Sequence, residues 1–125
     1  MAEEARLLIS VPGVGPVTAT TLIALMPELG TVSPKAAASI AGLAPWDDDT
    51  GKSRGIRRIG GGRRRVRRAL YMAAVTATRS QSRFKQIYQH LRDKGKPAKV
   101  AFIAIARKML TILNAIMRDK IAFQK

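Results

Sequence analysis

Seventeen residues in the middle of the chain, from Lys52 to Arg68, constrain the fold more than any other segment. They contain nine basic residues, four glycines and no acidic residue. Such a segment stays in water, because burying unpaired charge is costly, and its glycines favour irregular backbone. Most of the core must therefore come from the flanking segments. A chain of 125 residues that is 46% apolar can build one ordinary domain from them.

The flanking segments are predicted to be helical. On the N-terminal side we expect helices over residues 3–10, 16–28 and 33–42, where acids, prolines or a serine cap stand at the helix starts. On the C-terminal side, the helical spacing of apolar residues indicates helices over residues 63–80, 82–95 and 97–120. The sequence therefore predicts an all-α fold. It also predicts a long Gly/Arg-rich loop over residues 43–68, with a short strand pair at GIRRI. The end of this loop overlaps the start of the predicted C-terminal helices, which together cover residues 63–118.

The helical spacing also predicts which side chains face the core. These residues are Val17, Leu22, Leu25 and Met26; Val66, Leu70, Ala73, Ala74 and Ala77; Phe84, Ile87, Tyr88 and Leu91; and Ile103, Ala106, Leu110, Leu113 and Met117. Core packing is accordingly favoured for Tyr71 and Tyr88 over a role as nucleophiles. Arg107 and Lys108 interrupt the longest apolar stretch, residues 100–117. This interruption favours a buried helix with one charged edge over a membrane span.

Residues 3–28 have the form of a helix-hairpin-helix motif, with the turn at VPGVG. Gly13 and Gly15 permit a tight turn and a close approach of a ligand to the backbone. The N–H groups at the start of the second helix then form a site for a DNA phosphate. An ordinary tight turn between two packed helices would have the same sequence, and that alternative stays open.

Charge is distributed unevenly along the chain, whose net charge is +15. Residues 1–50 hold two basic residues against six acidic ones, whereas residues 51–125 hold 21 against two. This asymmetry indicates a polyanionic partner, with nucleic acid the first candidate. Arginine binds phosphate through a planar fork of donors. The candidate phosphate-binding side chains are Lys52, Arg54, Arg57, Arg58, Arg63, Arg64, Arg65, Arg67 and Arg68.

The composition also excludes several classes of site. The chain has no cysteine and one histidine, which argues against disulfides and against a zinc site, and no metal site is predicted. The first residues, MAEEARLLIS, do not have the pattern of a signal peptide. We therefore expect a cytoplasmic protein with no membrane partner.

The segment WDDDTGKSRG, residues 46–55, ends like a phosphate-binding loop. That motif requires glycine at position 46, where Trp46 stands, and its three aspartates would repel a triphosphate. A nucleotide pocket is therefore not predicted. The hydroxyl of Thr50 beside the arginines is a candidate nucleophile toward a phosphodiester. The alternative is a solvated acidic loop tip, and Trp46 either stacks on a base or anchors the loop.

Three segments together resemble the C-terminal domain of the insertion-sequence one-ten family of transposases, which includes the pilin-gene invertases. The segments are PGVGPVTATTLIA, AGLAPWDDDTGKSRGIRRIGGGRRRVRRALYMAAV and GKPAKVAFIAIARKMLTILNAIMRD, and they span most of the chain. The resemblance implies a DNA recombinase whose C-terminal domain carries a serine that attacks the DNA phosphate. It also implies a structured guide RNA and a homo-oligomer with composite sites.

The chain departs from this family pattern in two ways. The resemblance implies an N-terminal RuvC-like domain with four acidic ligands for Mg²⁺, and we expect that domain to be absent here. The chain alone is therefore expected to be inactive and to hold no cofactor. In addition, Thr50 occupies the place of the serine in a family pattern Asp-Ser-Gly. Its methyl group crowds the attack and restricts the side-chain torsion, and Ser53 is a less favoured substitute.

The sequence therefore predicts the DNA-binding C-terminal domain of a bacterial or archaeal, nucleoid-associated transposase. In this interpretation the domain contributes the nucleophile loop for DNA strand cleavage and transfer. One alternative is a non-catalytic module that binds DNA or RNA. Another is a structural or dimerisation domain, in which the helix at residues 97–118 pairs with its copy.

Overall fold

A computed structural model describes residues 2–44 and 61–124, and within these two ranges every regular element is an α-helix. The all-α prediction is thus confirmed for the described part of the chain. In order the helices are α1 (Glu3–Ile9), α2 (Pro16–Leu25), α3 (Pro34–Ala41), α4 (Gly61–Ala77), α5 (Arg83–Asp93) and α6 (Ala98–Asp119).

Helix α3 begins and ends at the residues that the sequence indicates. The Ser33 hydroxyl oxygen accepts a hydrogen bond from the N–H of Ala36 at 3.1 Å, and Pro34 follows at the first helical position. This cap satisfies one of the N–H groups that have no partner within the helix. The helix ends at Gly42, as predicted.

Helix α4 begins at Gly61, two residues before the helix predicted over residues 63–80. It includes Arg63 to Arg68, where the predicted loop over residues 43–68 overlaps that predicted helix, and this overlap is helical. Arginine is a good helix former, and Val66 and Leu70 are both buried one turn apart, which holds this segment against the core. The apolar face predicted for α4 is buried throughout.

Helix α6 lies at the centre of the fold and packs against α1, α3, α4 and α5. Its buried residues are Ala101, Ile105, Ala106, Met109, Leu110, Leu113, Asn114 and Ile116. Among the described helices it alone is long and apolar enough to span a membrane by length and composition. Because four helices pack around it, and because Arg107 and Lys108 line its outer edge, it has the surroundings of a core helix.

Helix α2 faces the core differently from the prediction. Val17, expected to point inward, is 80% exposed, whereas Ala19, Leu22 and Met26 are buried. The residues that face the core are therefore those at positions 19, 22 and 26. Apolar residues lie all around α2, so periodicity alone does not identify its inner face.

Helix α5 is less buried than the prediction implied. Phe84 alone among its residues is fully buried, while the other predicted core residues of α5 are half-buried. Tyr88 stacks on Phe102 with ring centroids 4.7 Å apart, and Tyr71 meets the same ring edge-on at 5.8 Å. Both tyrosines therefore take part in packing, as predicted.

A buried asparagine fastens the connection between α2 and α3 to the central helix. The side-chain oxygen of Asn114 accepts the Gly30 N–H at 2.6 Å, and its amide donates to the Val32 carbonyl at 2.8 Å. Gly30 has φ +93°, and a Cβ there would lie 2.8 Å from the Cβ of Met117. Only glycine fits this close approach, so the Asn114 contacts hold a connection that has no room for a side chain.

The residues after α6 pack against the opposite end of the chain. The Phe123 N–H donates to the Ser10 hydroxyl at 2.8 Å, and the Phe123 ring packs against Phe84. The Arg83 guanidinium lies 4.8 Å from the centre of the Phe123 ring and donates to the Gln124 carbonyl at 3.1 Å. These contacts fix the start of α5 beside the end of α1.

Candidate nucleic-acid interface

The first two turns of α4 carry five arginines: Arg63, Arg64, Arg65, Arg67 and Arg68. Burial of Val66 and Leu70 fixes the rotation of the helix, and this rotation turns four of the five arginines outward. Arg64, Arg65, Arg67 and Arg68 are exposed. We call these four side chains the α4 arginine surface.

Arg63, the fifth, is engaged in an internal ion pair. Its two terminal nitrogens donate to the two carboxylate oxygens of Glu28, with the longer contact at 3.0 Å, and one of them also approaches the Leu25 carbonyl at 3.4 Å. Both side chains are about 30% exposed. The hydrogen bonds from Arg63 lower the pKa of Glu28, and the same bonds raise the pKa of Arg63. Arg63 was predicted to bind phosphate, but in this structure its guanidinium joins α4 to the end of α2.

The α4 arginine surface has no comparable compensation. Across residues 2–44 and 61–124, none of its four side chains forms an ion pair, and the first turn of α4 contains no acid. The N-terminus of a helix carries a partial positive charge, which repels cations placed there. Four cations placed close together repel one another, and a bound anion would lower that repulsion.

Arg67 extends this surface toward α3. The Cδ atom of its stem lies 3.5 Å from the point where a Cβ on Gly42 would stand. The arginine stem therefore covers the C-terminal end of α3 while its guanidinium stays exposed.

The turn between α1 and α2 packs against the other half of α4. Gly13 has φ +92°, and a Cβ there would lie 2.4 Å from the Ala73 carbonyl oxygen and 2.8 Å from the Cβ of Ala77. Gly13 is thus required for the contact between the turn and α4. A Cβ on Gly15 would meet nothing within 4 Å, so Gly15 borders open space.

The backbone donors of this turn face no internal acceptor. Within the described ranges, the N–H groups of Gly13, Gly15 and Val17 donate to no backbone carbonyl or side-chain oxygen. Val17 is 80% exposed beside them. Donors grouped at the start of a helix are suited to an anion, and the phosphate site at Gly13 and Gly15 stays a prediction.

The turn and the α4 arginine surface are connected through one rigid helix. From Arg65 to Ala73 the rise of an α-helix gives about 12 Å along α4. One strand of B-DNA advances about 3.4 Å per phosphate, so this separation corresponds to three or four phosphates. This separation is measured along the helix axis only. Ala73 lies on the buried face of α4 with Val66 and Leu70, whereas the four arginines are exposed, so the turn and the α4 arginine surface lie on different sides of the helix.

The other predicted site residues lie outside the described part of the chain. These are Thr50, Lys52, Arg54, Arg57 and Arg58, together with Trp46, Ser53 and the strand pair at GIRRI. Residues 2–44 and 61–124 contain no group of three or more His, Cys, Asp or Glu side chains placed to hold a metal ion.

Sequence patterns gave no sign of two polar contacts that shape this region. Glu28 and Arg63 are 35 residues apart, and Gly30 and Asn114 are 84 apart. Asn114 is the single polar residue in the apolar run ILNAIM, and this isolation is the one signal that could have indicated its role. Nothing local in the sequence sets Arg63 apart from its neighbouring arginines.

Comparison with known proteins places the chain among mobile-element proteins. A family model described as "Transposase IS116/IS110/IS902 family" matches residues 5–89. The chain is 36% identical over 115 residues to the "Insertion element IS110 uncharacterized 43.6 kDa protein" of Streptomyces coelicolor, covering 90% of this chain and 28% of that protein. It is 35% identical over 126 residues to the "Pilin gene-inverting protein" of Moraxella lacunata, covering 98% of this chain and 39% of that protein.

A third relative shows the same pattern of coverage. The "Insertion element IS116 uncharacterized 44.8 kDa protein" of Streptomyces clavuligerus is 33% identical over 123 residues, covering 97% of this chain and 31% of that protein. The chain therefore spans about a third of the length of the curated relatives that it matches.

Proposed function

The chain belongs to the transposase IS116/IS110/IS902 family, and on that premise we propose that it holds DNA for strand cleavage and transfer by a transposase. DNA is the polyanion that the family implies. The name of the Moraxella relative, which describes inversion of a pilin gene, supports recombination as the reaction.

The observation that carries the proposal is the uncompensated charge of the α4 arginine surface. Four exposed arginines stand at a helix N-terminus with no acidic partner in the described residues. Arginine forks match phosphate oxygens, and each phosphate neutralised releases counter-ions from DNA. The N–H groups of Gly13 and Gly15, which donate to no backbone carbonyl in the described ranges, would bind a second stretch of nucleic-acid backbone. All of these contacts position DNA without reading its bases.

The proposal extends to Thr50, together with Lys52, Arg54, Arg57 and Arg58 around it. Thr50 stands where the family resemblance places a serine nucleophile. Its hydroxyl oxygen would form a bond to the DNA phosphorus as one P–O bond of the backbone breaks, and the arginines would stabilise the charge that develops. The acidic ligands and Mg²⁺ that the resemblance implies would come from an N-terminal domain. A guide RNA and a homo-oligomer complete the proposed assembly.

DNA binding is tested by fluorescence anisotropy of the chain with a labelled duplex between about 50 and 500 mM salt. The double variant Arg64→Gln/Arg65→Gln removes two charges from the α4 arginine surface. The matched control, Lys94→Gln/Lys96→Gln, removes two exposed charges from the turn between α5 and α6. Since each phosphate contact contributes about 0.9 to the slope of log affinity against log salt, the α4 variant should lower that slope by about 1.8 and the control should not change it.

The nucleophile hypothesis needs a separate test in a full-length transposase that carries this domain. Thr50→Ala should abolish strand transfer, and Thr50→Ser should retain or increase it, because serine lacks the crowding methyl group. Unchanged strand transfer by Thr50→Ala would leave a non-catalytic binding module. An unchanged salt slope in the Arg64→Gln/Arg65→Gln variant would overturn the proposed DNA contact itself.

A further inference from the structure

A basic groove runs along the outer edge of α6, between α3 and the start of α5. Its three cations are Arg83 from α5 and Arg107 and Lys108 from α6. Its apolar lining comes from Ala38, Ala104 and Ile112, and its volume is about 480 Å³. No acidic residue of the described ranges lines it. The groove thus gathers positive charge in a concave site, which concentrates the field felt by an anion.

Arg83 is held in place at the groove without being neutralised. Its guanidinium stacks on the Phe123 ring and donates one hydrogen bond to the Gln124 carbonyl, and neither partner carries a charge. These two contacts leave the charge of the guanidinium uncompensated and its other N–H donors unused by them. A cation whose position is already fixed loses less side-chain freedom when it binds a phosphate.

The groove lies next to the α4 arginine surface. The stem of Arg67 covers Gly42 at the end of α3. Ala38, which lines the groove, precedes Gly42 by four residues, so the two positions are about one helical turn, or roughly 6 Å, apart. Helix α3 therefore contacts the stem of Arg67 at its C-terminal end and lines the groove about one turn earlier.

We propose that this groove continues the DNA track of α4, so that Arg83, Arg107 and Lys108 bind further phosphates of the same nucleic-acid backbone. The occupant is chosen by charge complementarity, since three cations without an acid match a polyanion. From Ala104 to Thr111 the groove follows about 10 Å of α6, enough for about three phosphates of one strand. The inference builds on the proposed function but assigns a surface that the α4 arginines do not include.

The test compares variants of the whole chain in the salt titration with a labelled 20-base-pair DNA duplex. The groove variant is Arg107→Gln/Lys108→Gln, which leaves Arg83 and its contacts to the C-terminal residues intact. The α4 variant is Arg64→Gln/Arg65→Gln, and the control is Lys94→Gln/Lys96→Gln. Circular dichroism and thermal unfolding establish that each variant is folded.

We expect the groove variant to lower the salt slope by about 1.8, and the combined groove and α4 variant to lower it by about 3.6, while the control leaves it unchanged. A titration at high concentration should saturate at one duplex per chain. An unchanged slope in the groove variant, or independent saturation by two duplexes, would overturn the single continuous track.

The two proposals fail in different ways in this experiment. If the α4 variant lowers the slope and the groove variant does not, the DNA-binding function stands and the groove is only a solvated surface. If the groove variant lowers the slope and the α4 variant does not, the groove binds DNA and the proposed role of α4 is wrong. The single variant Arg83→Gln removes one of the proposed phosphate contacts of the groove, so it should lower the salt slope by about 0.9.

Discussion

The two glycines of the first turn should respond in opposite ways to the same substitution. Gly13→Ala places a methyl group 2.4 Å from the Ala73 carbonyl oxygen, on a residue whose φ is +92°. A left-handed backbone costs alanine about 1–2 kcal/mol, and forced overpacking costs about 1–3 kcal/mol. We therefore expect Gly13→Ala to lower the free energy of unfolding by about 3 kcal/mol.

Gly15→Ala is the matched control, since the methyl group would meet nothing within 4 Å and the backbone φ is −103°. We expect its free energy of unfolding to stay within about 0.5 kcal/mol of the parent value. It should nevertheless weaken DNA binding, because the methyl group would stand where a phosphate approaches the open N–H groups. Loss of stability would thus follow one glycine and loss of affinity the other.

Thermal and urea unfolding followed by circular dichroism measure the difference. At this chain length a loss of 3 kcal/mol corresponds to a fall in Tm of about 12 °C. Equal dependence of unfolding on urea in all three proteins would show that the unfolded state is unchanged. A Gly13→Ala variant within about 1 kcal/mol of the parent would refute the contact between the turn and α4 as the reason for glycine at this position.

Three further outcomes follow from the described contacts. Asn114→Ala should lower the free energy of unfolding, measured in urea, by about 3 kcal/mol, because the Gly30 N–H and the Val32 carbonyl lose their partners. A loss below about 1 kcal/mol would contradict the role of Asn114 in holding the connection between α2 and α3. Because the pKa of Glu28 is lowered in the folded state, its pair with Arg63 adds stability above pH 4.5, the ordinary pKa, and this stability is lost as the pH falls through the folded-state pKa. Glu28→Gln should therefore lower the free energy of unfolding by about 1 kcal/mol at pH 7 and flatten the acid side of the curve of unfolding free energy against pH. An unchanged acid side would exclude this contribution of Glu28. Val17→Ser should leave the Tm within about 2 °C, because the side chain is 80% exposed, whereas a large fall would show that Val17 packs inward as the periodicity suggested.

Local chemistry was enough to predict much of the fold. Ser33, Pro34 and Gly42 mark the bounds of α3 because capping depends only on neighbouring residues. The buried face of α4 follows from the spacing of Val66 and Leu70, since a helix with one apolar stripe has one orientation that buries it. These features need no knowledge of distant parts of the chain.

Other features depend on which segments meet in space. Val17 was wrongly predicted to face the core because α2 is apolar around its circumference. Its inner face is determined by its packing against α1 and α4. Arg63 looks like its neighbours in sequence, and only the position of Glu28 separates a structural arginine from those that face solvent. The basic groove joins α3, α5 and α6, and no local pattern predicts that three separate helices contribute to one surface.

The crowding of arginines at the start of α4 gives ionic strength two opposite effects on this protein. In the free chain, with a net charge of +15, added salt should raise stability by screening repulsion among its cations, since the four exposed arginines of α4 form no ion pair within residues 2–44 and 61–124. The same salt should weaken binding to DNA, because salt cations compete with the arginines for the phosphates. When DNA is present at a hundred times its Kd, binding adds about 2.7 kcal/mol to folding. The DNA would then act as a counter-ion for these arginines, and the domain would be least stable when it is alone in dilute buffer.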